Sequence, residues 1–224
     1  MVDLKSNCAA RGRWLLLICV LAASGCERRT QVISSEPAVP VNPTVKPLPD
    51  TAAPQLKQML EGAITQAGVT TGYDPSYVPL DYPNGDVPEK TGVCSDVVVR
   101  AFRKAGLDLQ KEVHEDMKVA RSEYPKKWGA NNPDRNIDHR RVLNLMTYFT
   151  RQQKALPISS SATDYQPGDV VAWELTSGID HIGIVTNLLS DSEDRYLIVH
   201  NIGAGTRIED VLFAWTIKGH YRFY

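Results

Sequence analysis

The chain has 224 residues, 25 Lys and Arg against 26 Asp and Glu, a net charge of −1, and 42% hydrophobic residues. This near-neutral balance carries no strong nucleic-acid signature, so no nucleic-acid partner is expected. The length is enough for one domain with a real core.

The first element is a leader. Lys5, Arg11 and Arg13 precede an apolar run from Trp14 to Ala23, and Ser24, Gly25 and Cys26 follow at once. A basic start, an apolar segment and small residues read as an export signal. The run is about half of the ~20 residues that a membrane-spanning helix needs, which argues against a transmembrane anchor. Small residues directly before Cys26 resemble the lipobox of bacterial lipoproteins, which implies lipidation of Cys26 as the mature N-terminus. Glu27 follows Cys26, rather than the Asp that commonly marks inner-membrane retention in enterobacterial lipoproteins. The resemblance therefore implies a periplasmic protein of a Gram-negative bacterium, held by lipid at the outer membrane; a monomer is expected. Residues 1–26 are expected to form a lipoprotein-type signal peptide, whose removal leaves the chain slightly acidic. Residues 27–53, with Pro37, Pro40, Pro43, Pro47 and Pro49, read as an extended, partly polyproline tether. The folded domain is then 54–224.

Cysteine usage raises a question within that domain. Cys8 and Cys19 lie in the leader and Cys26 would carry lipid, which leaves Cys94 without a disulfide partner. In an oxidising compartment a free thiol is a liability unless it is buried or used. Both readings stand at this point: a small buried hydrophobe, or a nucleophile.

Leu56, Met59, Leu60, Ala63 and Ile64 recur at helical spacing over Leu56–Gln66. The following "GYDPSYVPLDYPNGDVPEKTG" is dense in Pro, Gly and Asp and reads as turn and loop. From Cys94, the residues Val98, Ala101, Phe102 and Ala105 again keep helical spacing, and Gly106 is placed to stop the helix. Cys94 thus opens a helix, where partial positive charge and unpaired N–H groups favour a thiolate and a neighbouring oxyanion. Residues 113–160 are expected to add one or two helices, including Val142–Phe149. After Pro167 the pattern changes to strands: "GDVVAWEL", "HIGIVTNLL", "RYLIVHNIG", "RIEDVLFAW" and "IKGHYRFY". Helices first and strands afterwards predict an α+β fold with an antiparallel sheet.

A thiol that attacks an acyl carbon needs a base within hydrogen-bond reach and a third group to orient that base. His181 begins "HIGIV" and His200 nearly ends "RYLIVH"; a hairpin around "LLSDSEDR" that sets them directly opposite would bring the rings together. The candidate constellation is Cys94 as nucleophile, His181 as base and His200 as orienter, with neighbouring Asn201 as a substitute orienter if a bulge shifts the strand. Ser95 and Asp96 read as helix-start capping and charge–dipole support. His114 in "HEDMK" lacks the second His of a zincin. Asp134, Asp138, His139, Arg140 and Arg141 in "PDRNIDHRR" read as a loop knitted by hydrogen bonds, with binding of a metal or an acidic group as the other reading.

The order of a helix-start Cys, "GDVVAW", "HIGIV" and "VHN" resembles the NlpC-type papain-like cell-wall peptidases. More closely, "YDPSYVPLDYPNGDVPEKTGVCSDVVVRAFRKAGLDLQKEVHEDM", "NIDHRRVLNL", "HIGIV", "VHNIG" and "GHYRFY" resemble the bacterial family called domain of unknown function 1287. The first resemblance implies a papain-like domain with N-terminal helices, the nucleophile at a helix start, and a C-terminal antiparallel sheet. It also implies a Cys94–His181–His200 triad and an upstream Tyr lining the cleft, for which Tyr82 and Tyr77 are the candidates. No metal and no organic cofactor are required. The function implied is hydrolysis of an amide in the cell-wall peptide or a similar envelope substrate. Acyl or amide transfer by the same triad, and a non-enzymatic envelope-binding module with an inert thiol, are the alternatives.

Overall fold

Helical spacing fills the first half of the domain and strand alternation the second, and the fold keeps the two in separate layers. The computed structural model describes residues 39–40, 43–128 and 132–224. The expected signal peptide, Cys26 and most of the expected tether lie outside the described residues. Four helices come first: α1 (Pro54–Ile64), α2 (Cys94–Lys104), α3 (Leu109–Val119) and α4 (Val142–Arg151). Pro54 opens α1, where its missing N–H would be unpaired in any case. Asp108 caps α3 by accepting the Gln110 N–H. Just past α2, Gly106 has φ +88°, a conformation that glycine adopts without strain.

Five strands follow: β1 (Val170–Glu174), β2 (Asp180–Leu189), β3 (Tyr196–Asn201), β4 (Thr206–Glu209) and β5 (Thr216–Tyr221). They form one antiparallel sheet in the order β4-β3-β2-β1-β5. Alternate residues serve two cores. Val170, Ala172, Ile182, Ile184, Val199 and Ile208 pack against the helices, chiefly Met59, Val98, Phe102, Leu145 and Phe149. Val171, Trp173, Val185 and Ile198 pack on the other face with Tyr165 and Leu212. The architecture is the α+β arrangement expected, with Cys94 as the first residue of α2.

The expected strand "RIEDVLFAW" stops at Glu209. β4 lies at one edge of the sheet and β5 at the other, so the chain must cross between them. The crossing brings buried Leu212 to the second core, where its carbonyl accepts the Trp173 Nε1–H at 2.9 Å. The later part of the expected tether is also not free. The Lys46 N–H donates to the Asn187 carbonyl at 2.9 Å and the Leu189 N–H to the Thr44 carbonyl at 2.8 Å. Val45 bridges Leu188, and Leu48 packs on the helix-side core. Among the described residues, no helix is long and apolar enough to cross a membrane.

Candidate active site

The loop before Cys94 has too little apolar surface to hold itself, and charged side chains fix it. Arg100 reaches Asp86, Thr70 and the carbonyls of Val87 and Thr91. Arg140 spreads over the carboxylate of Asp96 and the carbonyls of Ser76 and Asp74. The Asp96–Arg140 pair is buried, with side chains 4% and 2% exposed. Asp96 also accepts the Val93 N–H at 2.7 Å, and Ser95 Oγ donates to the Arg140 carbonyl at 2.7 Å. Both residues after Cys94 therefore tie the start of α2 to a distant turn; Asp96 also caps the helix, whereas the Ser95 hydroxyl, expected to cap it, is spent on the Arg140 carbonyl.

Paired positions on β2 and β3 begin at Ile184 opposite Val199. Below that point β2 pairs with β1 alone. On the β3 side, Asn201 Nδ2 donates to the carbonyls of Gly72 and Gly92 at 3.2 Å, which fixes the chain two residues before Cys94. Asn201 is thus engaged on the loop, not on His181. Cys94 is 4% exposed and is the free cysteine among the described residues. Backbone N–H groups of Ile182, Ser95 and Cys94 itself lie near its sulfur and favour its charged form.

His181 and His200 meet, by a geometry other than the one expected. Continuing the register Ile184–Val199 sets Gly183, not His181, across from His200. The two histidines are diagonal neighbours on one face, and His181 Nε2 lies 2.9 Å from His200 Nδ1. Gly183 is what permits this. A Cβ there would stand 3.1 Å from His200 Cβ and 2.9 Å from the Val199 carbonyl. Trp215 packs edge-on to both rings, at 5.6 and 6.0 Å between centroids. Trp173, opposite His181 on β1, lies at 5.9 Å. His200 Nε2 in turn lies 2.9 Å from Glu209 Oε2.

Burial sets the charges. It pushes the Cys94 thiol up to about 12, and the Asp96 charge adds to this, against the N–H groups that favour a thiolate. The thiolate expected from the helix start is therefore not the resting form, because desolvation outweighs the helix-end field. Burial, and then the neighbouring His200, lower His181 to about 3. At neutral pH the thiol and this imidazole are both uncharged.

A cavity of about 300 Å³ opens beside the thiol, lined by Tyr73, Val93, Cys94, Trp128, Arg140, Arg141 and Asp180. The Arg141 guanidinium stacks 4.4 Å over the Trp128 ring, and Lys127 pairs with Asp180 at 3.1 Å. The tyrosine of this cleft is Tyr73, whose hydroxyl is raised to about 12 by burial and then by Cys94. Tyr77 and Tyr82 point elsewhere: Tyr77 bonds Asp134, and Tyr82 bonds Glu115. The "PDRNIDHRR" turn is knitted internally, with Asn136 bonded to Asp134 and Asp138 accepting the Asp134 N–H. Among the described residues no group of three or more His, Cys, Asp or Glu is arranged to hold a metal ion.

Fold and site together define an α+β protein with a buried helix-start cysteine beside a strand that carries one of two hydrogen-bonded histidines. The chain belongs to the family described as a domain of unknown function (DUF1287), whose model matches residues 60–223. A relative from Escherichia coli (strain K12), the uncharacterized protein YijF, is 54% identical over 164 residues, 73% of this chain and 80% of that one. Among solved structures, NlpC1 from Trichomonas vaginalis aligns with a TM-score of 0.42 at 12% identity, over 78% of this chain and 46% of that one. A Staphylococcus aureus protein described as similar to a lipoprotein of the NLP/P60 family aligns with a TM-score of 0.37 at 15% identity, over 82% of this chain and 44% of that one. The chain spans less than half the length of either solved protein.

Two outcomes follow from this geometry. Gly183→Ala should separate the imidazoles and destabilise the fold by about 1–3 kcal/mol, since the added methyl meets backbone as well as His200. A urea titration reads the loss, and an unchanged midpoint would refute the close approach. The second concerns acid. His181 and His139, lowered by burial to about 3 and about 4, bind protons more weakly when folded than when unfolded. Their stability contribution is present above about pH 6.5 and is lost as pH falls toward their folded values, roughly 2 kcal/mol each at about pH 5. Asp138, raised by burial, acts in the opposite sense. Denaturation at about pH 7.5 and about pH 5 should show the drop, and His139→Gln should remove close to half of it.

Proposed function

We propose that the protein is a cysteine hydrolase of the cell envelope, acting on an amide of the cell-wall peptide or a related substrate. The observation that carries this reading is a buried free thiol at the start of α2, which packs on the strand carrying His181, whose own ring is tied to His200 at 2.9 Å. The order of the Cys, "HIGIV" and "VHN" segments, which resembles the NlpC-type peptidases, supports the substrate class. His181 engages His200 through Nε2, which leaves Nδ1 to take the thiol proton once the two are brought together, since among the described residues no hydrogen bond joins Cys94 to His181.

In the reaction, Cys94 Sγ forms a bond to the amide carbon as its proton passes to His181 Nδ1. The carbonyl oxygen becomes an oxyanion, for which N–H groups at the start of α2 are the available donors. The intermediate collapses with cleavage of the C–N bond, and the proton on His181 leaves with the amine. Water then attacks the thioester and gives its proton to His181. Expulsion of the sulfur returns that proton to the thiol and releases a carboxylic acid. Because the resting thiol and imidazole are neutral, proton transfer accompanies attack and does not precede it. Slow alkylation of the resting thiol near neutral pH is compatible with this mechanism.

Loss of function should be graded by role. Cys94→Ala and His181→Ala abolish release of soluble fragments from purified sacculi, read by mass spectrometry. His200→Ala keeps a measurable fraction, lower by about 10²–10⁴, because the base is misoriented and not lost. Full activity in folded Cys94→Ala protein would end the hydrolase reading.

The lipobox-like segment supports a place in the periplasm, with an anchor through Cys26 at the outer membrane. Cys26→Ala should move the protein from the detergent phase to the soluble phase, or leave an unprocessed precursor. Absence of palmitate labelling in the wild type would remove the anchor from the proposal.

A further inference from the structure

The hydrogen-bonded chain does not stop at His200. His181, His200 and Glu209 lie on β2, β3 and β4, all on one face, and each pair is a diagonal neighbour across the sheet. The two contacts, His181 Nε2 to His200 Nδ1 and His200 Nε2 to Glu209 Oε2, are both 2.9 Å and use opposite nitrogens of the central ring. The His200 side chain is 1% exposed, whereas that of Glu209 is 30% exposed and lines a cavity of about 770 Å³ at the β4 edge. The charged groups around Glu209 are Arg207, with Nε 3.4 Å from Oε1, and the Arg195–Asp210 pair beside the same cavity. The bond from His200, with Arg207 in support, holds the Glu209 carboxyl below the usual range, so it is ionised at neutral pH.

An ionised carboxylate accepts hydrogen bonds and donates none. His200 Nε2 must therefore carry a hydrogen, and in a neutral ring Nδ1 is then a bare lone pair. That lone pair accepts the hydrogen on His181 Nε2, which leaves His181 Nδ1 bare. Without the carboxylate the same 2.9 Å contact serves equally well in reverse, with hydrogens on His200 Nδ1 and His181 Nδ1. In the reversed state His181 Nδ1 already carries the ring's hydrogen and has no lone pair with which to take another from a thiol.

We propose that Glu209 is a positioning residue: by accepting from His200 it fixes the tautomers of both histidines and presents the bare Nδ1 of His181 as the base. This deepens the hydrolase reading and rests on it for its consequence in catalysis, while the tautomer assignment stands without any substrate. Trp215, edge-on to both rings, shields the relay from water.

The test is ¹⁵N NMR of the histidine-labelled full-length protein, which reports the nitrogen that carries the hydrogen in each ring. It is run on the wild type, Glu209→Gln and Glu209→Asp, with amide spectra as a check on folding. The wild type should show hydrogens on Nε2 of both His181 and His200. Glu209→Gln offers a side-chain amide that donates as well as accepts, so the single tautomer should be lost; Glu209→Asp keeps an acceptor-only group and should retain it. On sacculi, Glu209→Gln should lower kcat by about 10²–10⁴ with KM unchanged, and Glu209→Asp should recover part of the loss. A hydrogen on Nδ1 of either ring in the wild type overturns the assignment, even if no variant folds. Retention of both Nε2 hydrogens in folded Glu209→Gln overturns it as well. Fixed tautomers that depend on Glu209, in a protein with no Cys94-dependent turnover, support the relay and sink the hydrolase reading alone.

Discussion

The buried pair between Asp96 and Arg140 is the constraint on which the site depends. A guanidinium at 2% exposure is tolerated because its donors are taken up by one carboxylate and two backbone carbonyls. Those acceptors come from the first turn of α2 and from the loop at Asp74–Ser76. The Arg140 carbonyl accepts from Ser95 and closes the circuit. Three segments that share no hydrophobic face are thereby fixed around the one residue, Cys94, that the reaction would use. A well-packed apolar substitute for such a pair can be as stable, but it would not direct backbone carbonyls and a helix start to one point.

This anchor works against ionisation of the Cys94 thiol. The Asp96 carboxylate at the third helical position favours the helix electrostatically, yet its charge raises the Cys94 thiol and the Tyr73 hydroxyl. Burial of the thiol acts in the same direction and is the larger effect. What opposes both is local: three backbone N–H groups, one of them from β2. The balance keeps a lone thiol protonated, and so protects it from oxidants.

The sequence made the central residues legible because their signals are local. Cys94 opens a helical period, and His181 and His200 sit at strand positions of the same parity. The expected register was two residues off, and the pair survived that error because strand period is two; an error of one would have placed the rings on opposite faces. What the sequence did not disclose depends on distance. Arg140 stands 44 residues from Asp96, and nothing near either marks the partnership. Glu209 carries no signal of its own, because a strand running on to Trp215 hides the edge at which it stands. Tyr73 was passed over for Tyr77 and Tyr82 because an irregular loop has no period from which side-chain direction can be read. The segment with Asp134 and Asp138 was legible as a knitted turn, since an Asp next to Pro commonly bonds its own backbone.

Diagonal contacts explain why the relay needs this sheet and not merely these residues. Directly opposed side chains on adjacent strands are the closest, and a diagonal neighbour is ordinarily ~7–8 Å away, within reach only of long or planar side chains. Imidazole spans that gap if nothing stands at the position between, and Gly183 is the residue that leaves it open. From His200 to Glu209 the step is again diagonal, and there a flexible carboxylate makes the reach with Arg207 opposite His200. The splitting of β2 from β3 below Ile184 then does two things at once. It leaves the Ile182 N–H near the Cys94 sulfur, where it favours the charged form, and it lets Asn201 turn to Gly72 and Gly92 to hold the cysteine loop in the opening. A sheet paired to the end of both strands would satisfy more backbone and have no place for the thiol.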